Sequence, residues 1–152
     1  MRRLLLAAAL LAPFGTAQAQ DAFCQGLRQI VQAAAQDFVE LPAGTHYLHG
    51  SVNERRGVAP PFDGAPPRAV YYAVMLRDDS PRAFTLAEQR MRSLQSEIAR
   101  CLPQAQASAV ASNDRGSYQT WTMERAVVGL RREDSRGFAS STEIVVSIMS
   151  RW

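Results

Sequence analysis

The stretch TLAEQRMRSLQSEIARCLP, residues 85 to 103, decides how the chain is read. Its apolar residues Ala87, Met91, Leu94, Ile98 and Cys101 recur in steps of three and four, with Leu102 adjoining, which is the period of a helix with one buried stripe. Thr85 and Glu88 have the spacing of a capping box, in which a hydroxyl and a carboxylate satisfy free backbone donors reciprocally, and Pro103 ends the segment. A start at Ser80 with Pro81 in the first turn fits the same pattern. Either way Cys101 falls on the buried stripe at the end of a helix.

A second amphipathic pattern lies upstream. Phe23, Leu27, Ile30, Val31, Ala34, Phe38 and Leu41 share one face, Asp21 stands where an N-cap belongs, and Pro42 with Gly44 supplies the stop. Gly26 inside this helix is expected to weaken it by about 1 kcal/mol relative to alanine. Cys24, the only other cysteine, shares a face with Leu27 and Val31.

The N-terminus gives the two cysteines a compartment. MRR, then LLLAAALLAPFG, then TAQAQ reads as a basic region, a short apolar region and a small-residue cleavage site at Ala17-Gln18-Ala19, the organisation of a secretory signal peptide. The apolar run from Leu4 to Leu11 is too short to cross a bilayer. Residues 1–19 are therefore expected to be removed. Residues 20–152 are then expected to form a single α+β domain, periplasmic or secreted, with no integral membrane segment after cleavage. In an oxidising compartment an even cysteine count reads as pairing, so a Cys24–Cys101 disulfide between packed helices is expected. A catalytic thiol would need a histidine base, and only His46 and His49 are available.

Charge narrows the partners. All 17 basic residues are arginines, set against 14 acidic residues, for a net charge of +3. Arg2 and Arg3 leave with the signal peptide and bring the balance close to neutrality, so nucleic acid is not an expected partner. The oligomeric state is open.

Four extended segments complete the reading. THYLHGSV, residues 45–52, is a weak strand candidate, and AVYYAVMLR, residues 69–77, is apolar on both faces and suits an interior strand. YQTWTMERAVVGLRR, residues 118–132, makes one bent strand or two short ones, with Gly129 or the Glu124-Arg125 step as the bend. TEIVVSIMSR, residues 142–151, alternates with Ile144, Val146 and Ile148 on one face. Residues 105–116 read as a small-residue linker and residues 54–68, with four prolines, as an irregular loop. The expected fold is an αββαββ order, with an antiparallel sheet of about four strands and both helices on one face.

Chemistry-bearing constellations are few. His46 and His49 are three apart, a spacing that shares a face on a helix but not on a strand, and no further ligand completes a metal set. Asp78-Asp79-Ser80 is an acidic pair or a turn leading into a helix. Trp121, Trp152, Tyr71, Tyr72 and Tyr118 form either a stacking platform or core. No catalytic set, cofactor or metal is assigned. The expected function is a non-enzymatic binding or accessory module that recognises a protein or a cell-envelope component. Arg55, Arg56, Phe62 and Arg68 are the candidate binding residues, since guanidinium forks grip carboxylates and a proline-rich setting limits ordering entropy. Two rival readings are a small hydrolase using His46 or His49 with Asp78 or Asp79, and a structural envelope protein.

Overall fold

The computed structural model describes residues 14–59, 66–137 and 140–151. Helix α1 (Phe14–Ala33) continues into a 3-10 turn at Ala34–Gln36, and strands β1 (Asn53–Ala59) and β2 (Arg68–Asp78) follow. After helix α2 (Ala83–Cys101) come the short strands β3 (Gln106–Ala107) and β4 (Ala111–Asn113), then β5 (Gly116–Thr122), β6 (Ala126–Ser135) and β7 (Ser141–Ser150). The fold is α+β with two helices and an antiparallel sheet, but the sheet has seven strands and not about four, so the order is not αββαββ. The strands run β1-β2-β7-β6-β5-β3 across the sheet, with β4 also pairing with β5.

Each difference from expectation has a local cause. Residues 45–52 form turns and not a strand, because their backbone donors are drawn to a carboxylate on β1: Tyr47 N and Leu48 N bond the two oxygens of Glu54 at 2.7 and 2.8 Å. Residues 53–59 form a strand where a loop was expected. Asn53-Glu54-Arg55-Arg56-Gly57 shows no apolar alternation because β1 is an edge strand, whose exposed arginines discourage further pairing. The supposed linker at 105–116 supplies β3 and β4, joined across a break by Ser108, whose N–H donates to Thr120 O at 2.8 Å and whose Oγ accepts from Thr120 N at 3.0 Å. Residues 118–132 are two strands, turning at Met123-Glu124-Arg125 with Met123 N donating to Ala126 O.

The helix ends also differ. Asp21 lies inside α1 instead of capping it, and the helix stops well before Leu41. Phe38 N bonds Ala33 O at 2.9 Å and Asp37 N bonds Ala34 O at 3.3 Å, with Asp37 left-handed at φ 52°, the Schellman arrangement that satisfies the last carbonyls. That reversal turns Phe38 into the core, where it is fully buried. Helix α2 begins at Ala83, and neither Thr85 nor Glu88 caps it; Ser80 accepts from Ala83 N through its carbonyl and from Arg82 N through its hydroxyl.

The core lies between the helices and one sheet face. Leu27 and Ile30 of α1 and Leu94 and Ile98 of α2 pack with Tyr71, Ala73 and Met75 of β2, Val128 and Leu130 of β6, and Ile144, Val146 and Ile148 of β7. The helices are tied by the expected disulfide, Cys24–Cys101, with 5.0 Å between the Cα atoms. Because it links residues 77 apart in sequence, the bridge restricts the unfolded chain by about 4.5 kcal/mol on the chain-entropy estimate. Arg28 Nε donates to Cys101 O at 3.0 Å, satisfying a free carbonyl at the end of α2. Among the described residues, no helix is long and apolar enough to cross a membrane.

Gly26 has a different role from the one its helix position suggested. A Cβ there would lie 1.8 Å from Tyr47 O and 2.8 Å from Tyr47 C, so the missing side chain lets the 41–52 segment rest directly on α1. Backbone atoms on both sides leave no rotamer escape. Gly26→Ala should accordingly lose about 3 kcal/mol or more in denaturant unfolding. Intrinsic helix propensity alone would give a gain of about 1 kcal/mol, and such a gain would contradict the packing argument.

Candidate functional site

The histidine-bearing turn is organised around one carboxylate. Besides the Tyr47 and Leu48 amides, Glu54 accepts from Ser51 Oγ at 2.6 Å and from the Tyr71 hydroxyl. His46 is exposed, with Nδ1 3.4 Å from Ser51 Oγ, and His49 is exposed beside it. Asp78 instead accepts from Ser80 N at 2.7 Å at the entry to α2, a bond that lowers its carboxyl pKa. Among the described residues no hydrogen bond or ion pair joins either histidine to Asp78 or Asp79, and no three His, Cys, Asp or Glu side chains converge as a metal site. The serine in this cluster donates to a carboxylate that already holds two amides and a phenol, an arrangement that fixes a turn.

The better candidate lies on the sheet face turned away from the helices. Strand register sets out three rows of side chains there. The first runs Gly57, Val70, Met149, Val127, Thr122; the second Arg55, Tyr72, Ser147, Gly129, Thr120; the third Asn53, Val74, Val145, Arg131, Tyr118. Both helices pack on the opposite side, and Val70, Val74 and Val145 stand outside the helix-side core. Tyr72, Tyr118, Arg131, Val145 and Ser147 line a concavity of about 440 Å³.

Its two walls are alike in chemistry. On one side the Arg55 guanidinium sits 5.0 Å from the centre of the Tyr72 ring, a cation–π distance. On the other, Arg131 is directly opposite Tyr118 across the β5–β6 pair and bonds Glu133 at 2.7 Å. Gly129 makes this wall possible: a Cβ there would lie 2.7 Å from Ser147 Oγ and 3.2 Å from the Tyr118 ring, so the bare backbone lets Tyr118 lie down over β6. Tyr118 remains 44% exposed, which leaves an aromatic surface free for contact. Partial burial raises its hydroxyl pKa, and the Arg131 charge opposes that shift.

The arginines singled out from sequence separate across the sheet. Arg55 and Arg68 belong to the open face, since Arg68 follows the same strand parity as Val70 and Tyr72. Arg56 points to the helix side and donates from Nη1 to Phe38 O at 2.7 Å. Phe62 lies outside the described residues, as does Trp152. Of the aromatic residues considered, Trp121 and Tyr71 are core, and Tyr72 and Tyr118 are on the open face. Sequence alone does not single out Arg131 or Ser147, and it marks Gly129 only as a possible bend.

No family model, curated protein or solved structure matches the chain.

Tyr71 gives the Glu54 cluster a measurable pH signature. Burial, followed by the hydrogen bond to Glu54 and the carboxylate's charge, drives its hydroxyl far above the ordinary tyrosine value. A pKa raised on folding contributes stability that is fully present below the unfolded value of about 10 and is lost as pH rises through the folded one. Melting temperature should therefore fall as pH rises above about 10, with Tyr118 adding in the same direction, and Tyr71→Phe should fall less steeply. Parallel curves for the two proteins would show that Tyr71 is not linked to folding.

Proposed function

We propose that the protein is an exported, non-enzymatic binding module that recognises a protein or another component of the cell envelope through its open sheet face. The observation that carries the reading is the concavity between Tyr72 and Tyr118, each tyrosine accompanied by an arginine and the two separated by the small residues Ser147 and Gly129. Tyrosine and arginine together supply flat apolar surface, a phenolic hydrogen-bonding tip and a fork for carboxylates, a pairing enriched at the energetic centres of interfaces. A ligand presenting a carboxylate beside an apolar group complements both walls.

Two observations support an exported site of action. The N-terminal pattern reads as a signal peptide, and the buried Cys24–Cys101 bridge needs an oxidising compartment to persist. The helix-side core is spent on folding, and the tyrosine face keeps aromatic and guanidinium side chains available for contact.

Affinity capture from a cell-envelope extract tests the reading with three baits: wild type, Tyr72→Ala/Tyr118→Ala, and the control Arg92→Ala, whose side chain pairs with Glu88 on α2. At least one component should be retained by the wild type and the control and reduced about tenfold or more by the double variant, while the melting temperatures of all three stay close. Identical retained sets for wild type and double variant would contradict binding through this face.

A further inference from the structure

We infer that the N-terminal Gln20 left by signal-peptide cleavage is a modification site, which closes to pyroglutamate with the Arg100 guanidinium acting on its side-chain amide. The inference goes beyond the binding reading. It depends on cleavage after Ala19, not on what the sheet face binds.

The contact to the glutamine side-chain oxygen is already present at the helix pair. Arg100 Nη1 on α2 donates to Gln20 Oε1 on α1 at 2.7 Å, and Arg100 Nη2 lies 4.0 Å from Cys24 Sγ. Gln20 is exposed and adjoins a groove lined by Asp21, Cys24, Gln25, Arg28, Arg100 and Gln104. The disulfide one turn along holds the start of α1 against the last turn of α2, which keeps these two exposed side chains within reach of each other.

Cleavage converts the backbone nitrogen of Gln20 from a helix amide into a free amine. That amine attacks Cδ of its own side chain; the new C–N bond closes a five-membered lactam, the Cδ–NH2 bond breaks, and the amine proton leaves with ammonia. No oxidant, cofactor or second reactant is needed. Negative charge builds on Oε1 as the tetrahedral intermediate forms, and a guanidinium hydrogen-bonded to that oxygen stabilises it. The product is also favoured electrostatically. A free ammonium would sit at the positive end of the α1 dipole and beside Arg100, and the lactam carries no charge.

The test uses exported protein, read by intact mass and N-terminal peptide mass spectrometry. Wild type should begin at residue 20 and be lighter by one ammonia. Freshly processed Arg100→Ala should begin at the same residue and cyclise about three- to tenfold more slowly at neutral pH, with Arg100→Lys recovering part of the rate. In denaturant, where the contact is absent, wild type and Arg100→Ala should cyclise at equal rates. A wild-type N-terminus other than residue 20, a persistent free glutamine in the wild type, or equal folded-state rates in wild type and Arg100→Ala would each overturn the inference.

Discussion

The carboxylate of Glu54 is the interaction on which the rest of the arrangement depends. A charge at the seam between a sheet and its helical layer is costly unless its lone pairs are taken up, and here two amides, a serine hydroxyl and a tyrosine hydroxyl take them. Those bonds hold residues 47–51 beneath β1. That position places Tyr47 O against the bare backbone of Gly26 on α1 and lets Leu48 into the core. The same contact orients Tyr71 inward, and strand parity then sends its neighbour Tyr72 to the other face. A single acidic side chain on an edge strand thus links the turn segment, the helix and the choice of which tyrosine meets solvent.

The two sheet faces are built differently for the same reason. The helix side is filled by large apolar side chains and closed by the Cys24–Cys101 bridge, so its chemistry is spent on cohesion. The other side sets a glycine and a serine among the buried valines Val70, Val74 and Val145, with tyrosines at its flanks, a composition that shapes a surface. Charge at the far end of the sheet is handled locally. Arg132 pairs with Asp134 at 2.6 Å, Thr142 donates to the same carboxylate at 2.7 Å, and these bonds outweigh burial to hold the Asp134 pKa low.

Elements that bury one stripe against one partner were legible in the sequence. Helix α2 and strand β7 repeat their apolar residues at helical and strand periods, and every predicted core position on them is buried. The disulfide followed from compartment and helix placement. Strand β1 was not legible, because an edge strand with charged residues lacks the alternation that marks a half-buried one. Strands β3 and β4 are two and three residues long and exposed, below the length at which a pattern shows. The role of Gly26 depends on a carbonyl twenty-one positions away, and local propensity contains no trace of it. At the candidate site, Arg55 could be named from its residue type. Choosing Tyr72 over Tyr71 requires the register of β2 against β1 and β7, and seeing Gly129 as the floor beneath Tyr118 requires that of β6 against β5 and β7.

Native-state amide hydrogen exchange at Tyr47 and Leu48 tests the organising role of Glu54 most directly. The account predicts that both amides exchange at least about a hundredfold more slowly than in an unstructured chain. In Glu54→Ala the protection should vanish at these two positions while the amides of β6 and β7 remain slow. Exchange of Tyr47 and Leu48 at unstructured rates in the wild-type protein, with the sheet protected, would contradict it.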